Sequence, residues 1–501
     1  MDSIFKEVTP EKAGIPSESI LAFIKQLEDN QVNVHSFFMA RGEEVFAEGY
    51  WKPFNKDFQH RMYSAGKSFT SIAIGLLQEE GKLKITDYIC DYFQDKIPKE
   101  DVHNYIKRIT IKDMLTMRTA HNKTTYKVEN NDDWVESFFN IKPSHYPGTI
   151  FSYDTSATHV LSALVERLSG KSLMDYLREK VLNYLDFSKE AKFLKDPMGI
   201  SQGGSGLICT MRDLAEFTYI CMNDGQYRGN QLIPKEYLHQ ATKKQADTFI
   251  QSVIDEQQGY GFQFWKSRHN GFTLYGMGGQ LSICLPQYKI IFATTADTQG
   301  NPTGLQNIYD AFWHQIFPFI EKKYAPLNNN LSPLNNNLSP FKNDISTLKN
   351  DESYIKLKEK LSDLHIKPIQ GEIISSYANK INGKKYTLEN NSMGMKFFRI
   401  ICENRKGVIE FENTDGKFNI PFILGQVNQF NEKSFKIPMM ISAAWKSENV
   451  LSLQVNLVGH LLGSLKVNIG FNNEFVTISM KKFVEGRLNN YDGIATGIVS
   501  L

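Results

Sequence analysis

The heptapeptide Leu-Asn-Asn-Asn-Leu-Ser-Pro occurs twice in tandem from Leu327 to Pro340. Asn, Ser and Pro at this density bury nothing and interrupt any regular element, so 325–345 reads as a linker between two folding units. A chain of 501 residues exceeds what one hydrophobic core usually organises, which agrees with a division at that point. The expected organisation is a mixed domain over 1–324, the linker, and a β domain over 346–501.

The two sides differ in pattern. Upstream, SFFMARGEEVFAEGYW places apolar runs on either side of Arg41-Gly42 and predicts a hairpin. Helical periodicity dominates from about Ser64 to Met222, including SLMDYLREKVLNYL and a helix opened by Thr210-Met211-Arg212-Asp213, a capping-box pattern. Strand character returns at FTLYG, QLSICLP and KIIFATTA, followed by a helix over GLQNIYDAFWHQIFPFI. Strands at both ends with helices between them predict a sheet whose strand order joins the two ends. Downstream, after a helix around Ile345 to Leu364, alternation takes over. Leu451, Leu453, Val455 and Leu457 share one face of a strand, as do Leu465, Val467, Ile469 and Phe471. Turn signals at Asp415-Gly416 and Asn472-Asn473 predict an antiparallel meander or small barrel.

The chemistry points to Ser64-Ala65-Gly66-Lys67. Ser-x-x-Lys also occurs at Ser3, Ser339, Ser346, Ser353 and Ser479, so the spacing alone selects nothing. What distinguishes Ser64 is the stripe of Phe69, Ile72, Ala73, Leu76 and Leu77 behind it, which predicts a core-facing helix as far as Gly81. Serine and lysine three apart on a helix face the same way. An amine of lowered pKa can take the serine proton and activate a nucleophile. An ordinary lysine titrates near 10.4, so burial, a second cation or a third group must help. Tyr153, in YPGTIFSYDTSATHVL after the Pro147-Gly148 turn, is a candidate for that third group.

These runs, with HRMYSAGKSFTSIAIGLLQEEGKLKITD, RITIKDMLTMRTAH and GGSGLICTMRDLAEF, resemble the serine β-lactamase and penicillin-binding-protein superfamily. The likeness is to its class C β-lactamase and esterase branch and covers roughly residues 8 to 318. It implies an α/β (α+β) β-lactamase-like sandwich, an antiparallel sheet flanked by helices, with the C-terminal part resembling a lipocalin-like β-barrel. It also implies Ser64 as the acylated nucleophile, Lys67 as its proton-relay partner and Tyr153 as the group exchanging a proton with nucleophile and leaving group. Thr155 stands where the superfamily usually has Asn. Met277-Gly278-Gly279 stands where a strand carries Lys-Thr-Gly or His-x-Gly, and the oxyanion hole falls at the amides of Ser64 and Gln280. Met277 carries no charge to capture a substrate carboxylate. The reading therefore tilts toward an esterase or a hydrolase of small amides. A β-lactamase or D-amino-acid peptidase, and an acylated sensor with little turnover, are the alternatives.

Composition narrows the field further. Formal net charge is +2, without the basic excess that nucleic-acid binding uses. Gly66-Lys67-Ser68 and Gly170-Lys171-Ser172 lack the earlier glycine of a phosphate loop, Arg61 and Val165 standing there. Five scattered cysteines form no zinc pattern and read as reduced, and no cofactor or metal is expected. No segment reaches the length of a membrane span and the start lacks a secretory run, so a cytoplasmic protein is expected. Its partner would be a small ester, amide or lactam, and homo-oligomerisation is compatible with this reading. Gly203-Gly204-Ser205-Gly206 reads as a flexible loop beside the pocket, and His159 as a packed or surface histidine.

Overall fold

The computed structural model describes residues 3–98, 102–128, 131–324, 347–431, 438–483 and 488–500. The linker expected over 325–345 lies outside the described residues. Contacts divide the chain into two compact units, one reaching Leu364 and the other comprising His365–Leu501 with Gln299–Pro302. The helix Thr347–Ser362 belongs to the first unit, where Lys360 pairs with Glu28 of the helix Ser17–Asp29 at 2.8 Å.

The first unit is built on a seven-stranded sheet. Its order is Lys6–Glu7, Glu44–Tyr50, Val34–Arg41, Ile290–Ala296, Gln280–Leu285, Phe272–Gly276 and Trp265–Lys266. All pairs are antiparallel except the short first one. The hairpin at Arg41-Gly42 forms, with Arg41 opposite Glu44 and Gly42 at φ +59°. Val34–Arg41 pairs with Ile290–Ala296, so both ends of the domain meet at the sheet centre.

Alternation along the central strands divides the core between two faces. Phe38, Ala40, Ile291 and Ala293 pack toward the large helical side, together with Phe69 and Phe217, whose rings stack at 3.6 Å. On the other face Phe292 stacks on Phe312 at 4.5 Å and meets Phe23 edge-on, which docks the helices Gly304–Gln315 and Ser17–Asp29. The capping box at Thr210 and Asp213 starts the helix Met211–Met222 as expected. The helix predicted over GLQNIYDAFWHQIFPFI breaks at Ile316 and restarts over Phe317–Tyr324. Pro318 explains the break, since it has no N–H to continue the ladder and its ring crowds the preceding turn.

The second unit is a ten-stranded antiparallel sheet. It runs Gly416–Ile423, Lys406–Asn413, Phe397–Glu403, Lys385–Leu388, Gly493–Val499, Phe475–Phe483, Ser464–Asn472, Val450–Leu457, Met439–Ser447 and Val427–Phe430. Its two outer strands are consecutive in sequence. Between them Leu424 bridges to Ala443 and the Gly425 amide donates to the Ala443 carbonyl at 2.9 Å, leaving the sheet a nearly closed barrel. The alternating residues Leu451, Leu453, Val455 and Leu457 all enter its core, as do Leu465, Val467, Ile469 and Phe471. Both turn signals are used, with Asn413 opposite Gly416 and Asn472 opposite Phe475. Side chains fill the interior down to an apolar cavity of about 60 Å³ bordered by residues such as Met395, Met439 and Met480.

Among the described residues no helix is long and apolar enough to cross a membrane, and no His, Cys, Asp and Glu cluster is arranged to hold a metal ion.

Candidate active site

The strand His60–Tyr63 ends in a strained turn, with Tyr63 at φ +46°, a conformation that costs a bulky residue free energy. Ser64 and Ala65 form that turn, and the helix begins at Gly66 rather than at the serine, running to Glu79. Every residue from Gly66 to Leu77 is buried, so the predicted stripe understates the packing. The polar positions off the stripe are accommodated by bonds to other elements. Ser68 donates to the Gln263 carbonyl at 2.7 Å, Thr70 donates to that of Gly203 at 3.0 Å, and Ser71 bonds the Tyr237 hydroxyl at 3.0 Å.

Lys67 sits on the first turn of this helix with 1% of its surface exposed. Its Nζ donates to Ser64 Oγ at 3.2 Å, to Thr155 Oγ1 at 3.1 Å and to the carbonyl of Gly204 at 2.5 Å. Burial pushes the amine down to about 7, with Asp154 pulling it back up and Lys127 adding a smaller downward push.

Tyr153 and Asp154 precede the helix Thr155–Ser169, which Asp154 caps by accepting from the Ser156 amide at 2.8 Å. The Tyr153 ring lies 5.1 Å from Lys67 Nζ, and its phenol hydrogen-bonds with Ser64. Stacking on Trp265 at 5.6 Å and an edge contact with Tyr260 at 6.3 Å hold the ring in place. Burial raises the phenol well above its usual range, Ser64 draws it partly back, and Glu256 raises it further. Burial also lifts the Asp154 carboxyl to about 6, against hydrogen bonds from Ser156 and the nearby Lys67 charge.

The glycine turn Met277-Gly278-Gly279 joins the strands Phe272–Gly276 and Gln280–Leu285, with φ +87° at Gly278 and +93° at Gly279. Gly276 pairs with Gln280 and lies flat against the serine-bearing turn. A Cβ there would stand 2.0 Å from the Met62 carbonyl oxygen and 3.1 Å from the Ala65 amide. The Gln280 side chain turns inward, its Nε2 donating to the carbonyls of Met277 at 3.2 Å and Ala296 at 2.7 Å. It therefore ties the turn to the sheet and leaves the backbone as its means of meeting a substrate.

The structure thus gathers Ser64, Lys67, Tyr153 and Thr155, and sets the strand end carrying Met277 to Gln280 beside them. Thr155 serves Lys67 directly. Three contributors escape a sequence reading: Asp154, the Gly204 carbonyl and Glu256. Asp154 has a signal, an acid just before an apolar-periodic run. The Gly203–Gly206 segment is no slack loop. A Cβ at Gly203 would lie 2.5 Å from Thr70 Oγ1 and one at Gly204 would lie 2.8 Å from Thr155 Cγ2, so glycine there permits close packing. His159 is a packed histidine, bonded to Asp196 at 2.9 Å with 1% exposure.

An antiparallel sheet covered by helices, with the helix that follows Ser64 buried beside it, is the β-lactamase fold. The beta-lactamase family profile matches residues 23–311, more than half of the chain, and the chain belongs to that family. It is similar to the 6-aminohexanoate-dimer hydrolase of Paenarthrobacter ureafaciens, with 21% identity over 293 residues covering 54% of this chain and 74% of that protein. A solved structure from Bacteroides dorei DSM 17855, described as a provisional beta-lactamase, is similar with 14% identity and a TM-score of 0.51, covering 61% of this chain and 98% of that one. The octameric penicillin-binding protein homologue from Pyrococcus abyssi matches with 14% identity and a TM-score of 0.46, over 96% of this chain and 99% of that one.

Proposed function

We propose that the protein is a serine hydrolase that acts through an acyl-enzyme on Ser64, with small esters or amides as substrates. The observation that carries this reading is the buried Lys67 amine, held at about 7 and 3.2 Å from Ser64 Oγ. An amine of that basicity is substantially neutral at neutral pH and can accept the hydroxyl proton as Oγ attacks a carbonyl carbon. Tyr153, whose phenol stays protonated, is then a donor rather than the first base. It orients Oγ and can pass its proton to the leaving group while Lys67 resupplies it.

The oxyanion would be held by the amides of Ser64 and Gln280, which the glycines of the Met277–Gly279 turn leave unobstructed. Water then attacks the acyl carbonyl, its proton leaving through the same groups and the acid product departing. Met277 presents an apolar surface where a cation would seat a carboxylate, favouring neutral acyl groups over lactams. The hydrolase relative adds a linear amide of 6-aminohexanoate to the substrates worth offering.

The test is covalent labelling of the full-length protein with a fluorophosphonate, followed by peptide mapping. The label is expected on the peptide bearing Ser64, and Ser64→Ala should lose both label and ester hydrolysis. Parental hydrolysis by Ser64→Ala would overturn the reading.

A further inference from the structure

Gln263 lies between Tyr260 and Trp265, the two residues that hold the Tyr153 ring, and its backbone takes φ +62°. That conformation costs free energy in any residue with a side chain, and it persists where the surroundings over-determine it. Here they do so through hydrogen bonds, around a residue with 2% of its surface exposed. The Gln263 backbone amide donates to the Leu115 carbonyl at 3.0 Å. Nε2 donates to the carbonyls of Met114 at 2.9 Å and Leu115 at 3.1 Å. Oε1 accepts from Thr158 Oγ1 at 2.7 Å, and the backbone carbonyl accepts from Ser68 Oγ at 2.7 Å.

These partners belong to three segments, each adjoining a group of the proposed reaction. Ser68 follows Lys67 on the helix Gly66–Glu79. Thr158 stands one turn after Thr155 on the helix Thr155–Ser169 and packs against Gly204, where an added Cβ would lie 3.3 Å from Thr158 Cβ. Leu115 ends the helix Ile111–Leu115, two residues before Met117. The Met117 carbonyl accepts from the Ser152 amide at 2.8 Å and its Sδ from the Asp154 amide at 3.4 Å, gripping Tyr153 on both sides. A primary amide suits such a junction, since it offers two donors and an acceptor on one plane, and a buried polar group with every bond made fixes its neighbours in one geometry. Lys67 depends on that geometry, because its Nζ reaches Ser64, Thr155 and Gly204 together.

We propose that Gln263 is a positioning residue of the hydrolytic site, holding the Lys67 helix, the Thr155 helix and the Tyr153 loop where amine, hydroxyl and phenol meet. The proposal rests on the reading of Ser64 as the nucleophile. Loss of the amide lets the segments part and admits water to Nζ, so the amine regains solvation and titrates nearer its ordinary value.

Two variants of the full-length protein test this. Thr158→Val keeps the side-chain shape and removes the hydroxyl, while Gln263→Gly removes the amide and suits the backbone conformation. Asp154 and Lys127, whose charges also act on Lys67, are present in both. On a nitrophenyl ester, kcat is expected to fall by roughly ten- to a hundredfold with KM within about twofold of the parent. The acid limb of the pH profile should move up by about half a pH unit or more, and Thr158→Ser should restore both kcat and limb. Unchanged kcat in both variants, or a lowered kcat with the limb unmoved, overturns the proposal. A second measurement needs no turnover: in protein carrying ¹³C-labelled lysine, the resonance absent from Lys67→Met should titrate near 7 in the parent and higher in Gln263→Gly. An unmoved midpoint also overturns it. Hydrolysis surviving in Ser64→Ala, with the midpoint moved by Gln263→Gly, would sustain the positioning of Lys67 and sink the nucleophile. Hydrolysis lost in Ser64→Ala, with the midpoint unmoved, would do the reverse.

Discussion

The carbonyl oxygen of Gly204 accepts a hydrogen bond from Lys67 Nζ at 2.5 Å, which joins a glycine-rich loop to the helix that begins beside Ser64. With Ser64 and Thr155 it gives the amine three oxygen contacts. These replace only part of the water that burial removes, and Lys67 therefore settles at about 7 rather than near its usual value. The proton relay proposed for Ser64 depends on that balance.

The first expectation concerns pH. Ester hydrolysis should rise as pH increases through about 7, as Lys67 loses its proton and becomes a base. Asp154 pulls the amine upward, so Asp154→Asn, which keeps an N-capping side chain, should move this limb to lower pH. Lys67→Ala and Tyr153→Phe should each slow the chemical step by about 10²- to 10⁴-fold. Profiles of kcat/KM against pH on a nitrophenyl ester check all three.

Replacing Lys67 should raise stability while it removes activity. The amine titrates lower folded than unfolded, so its penalty is complete below about pH 7 and fades as pH climbs toward the unfolded value near 10.5. Lys67→Met should stabilise the fold by roughly 1–4 kcal/mol below pH 7, and by less at pH 10. Denaturant titrations at the two pH values measure this.

Gly204→Ala should damage the site without touching a reacting group. The added Cβ would meet Thr155 Cγ2 at 2.8 Å and the Thr155 carbonyl at 3.0 Å. The loop must retreat, taking its carbonyl from Lys67. A stability loss of about 1–3 kcal/mol is expected, together with a lower kcat and an acid limb displaced in pH.

Substrate choice tests Met277. Short-acyl nitrophenyl esters should be better substrates than a chromogenic cephalosporin, and Met277→Lys should shift the balance toward the carboxylate-bearing cephalosporin. Paired kcat/KM measurements on parent and variant give the answer.

The sequence made some of this readable because the signals were local. The capping box at Thr210 and Asp213, the glycine turn after Arg41 and the alternation from Leu451 to Leu457 each act within a few residues, and each forms. The pairing of Val34–Arg41 with Ile290–Ala296 followed from strand character at both ends of the domain. Other features depend on distant partners. Whether Gly204 is slack or wedged depends on Thr155, a residue about fifty positions away in the chain. The start of the helix at Gly66 also departed from expectation, because the turn at Tyr63 takes up Ser64 and Ala65 before regular helix can begin.

In the C-terminal unit the seam between Gly416–Ile423 and Val427–Phe430 is spanned by three residues, Leu424 to Gln426. A ring of strands fastened there by so short a stitch has its weakest hoop at one known address. Amide exchange should begin at that stitch and spread in both directions around the ring, and a cysteine pair bridging it would convert ten strands in a row into an endless band.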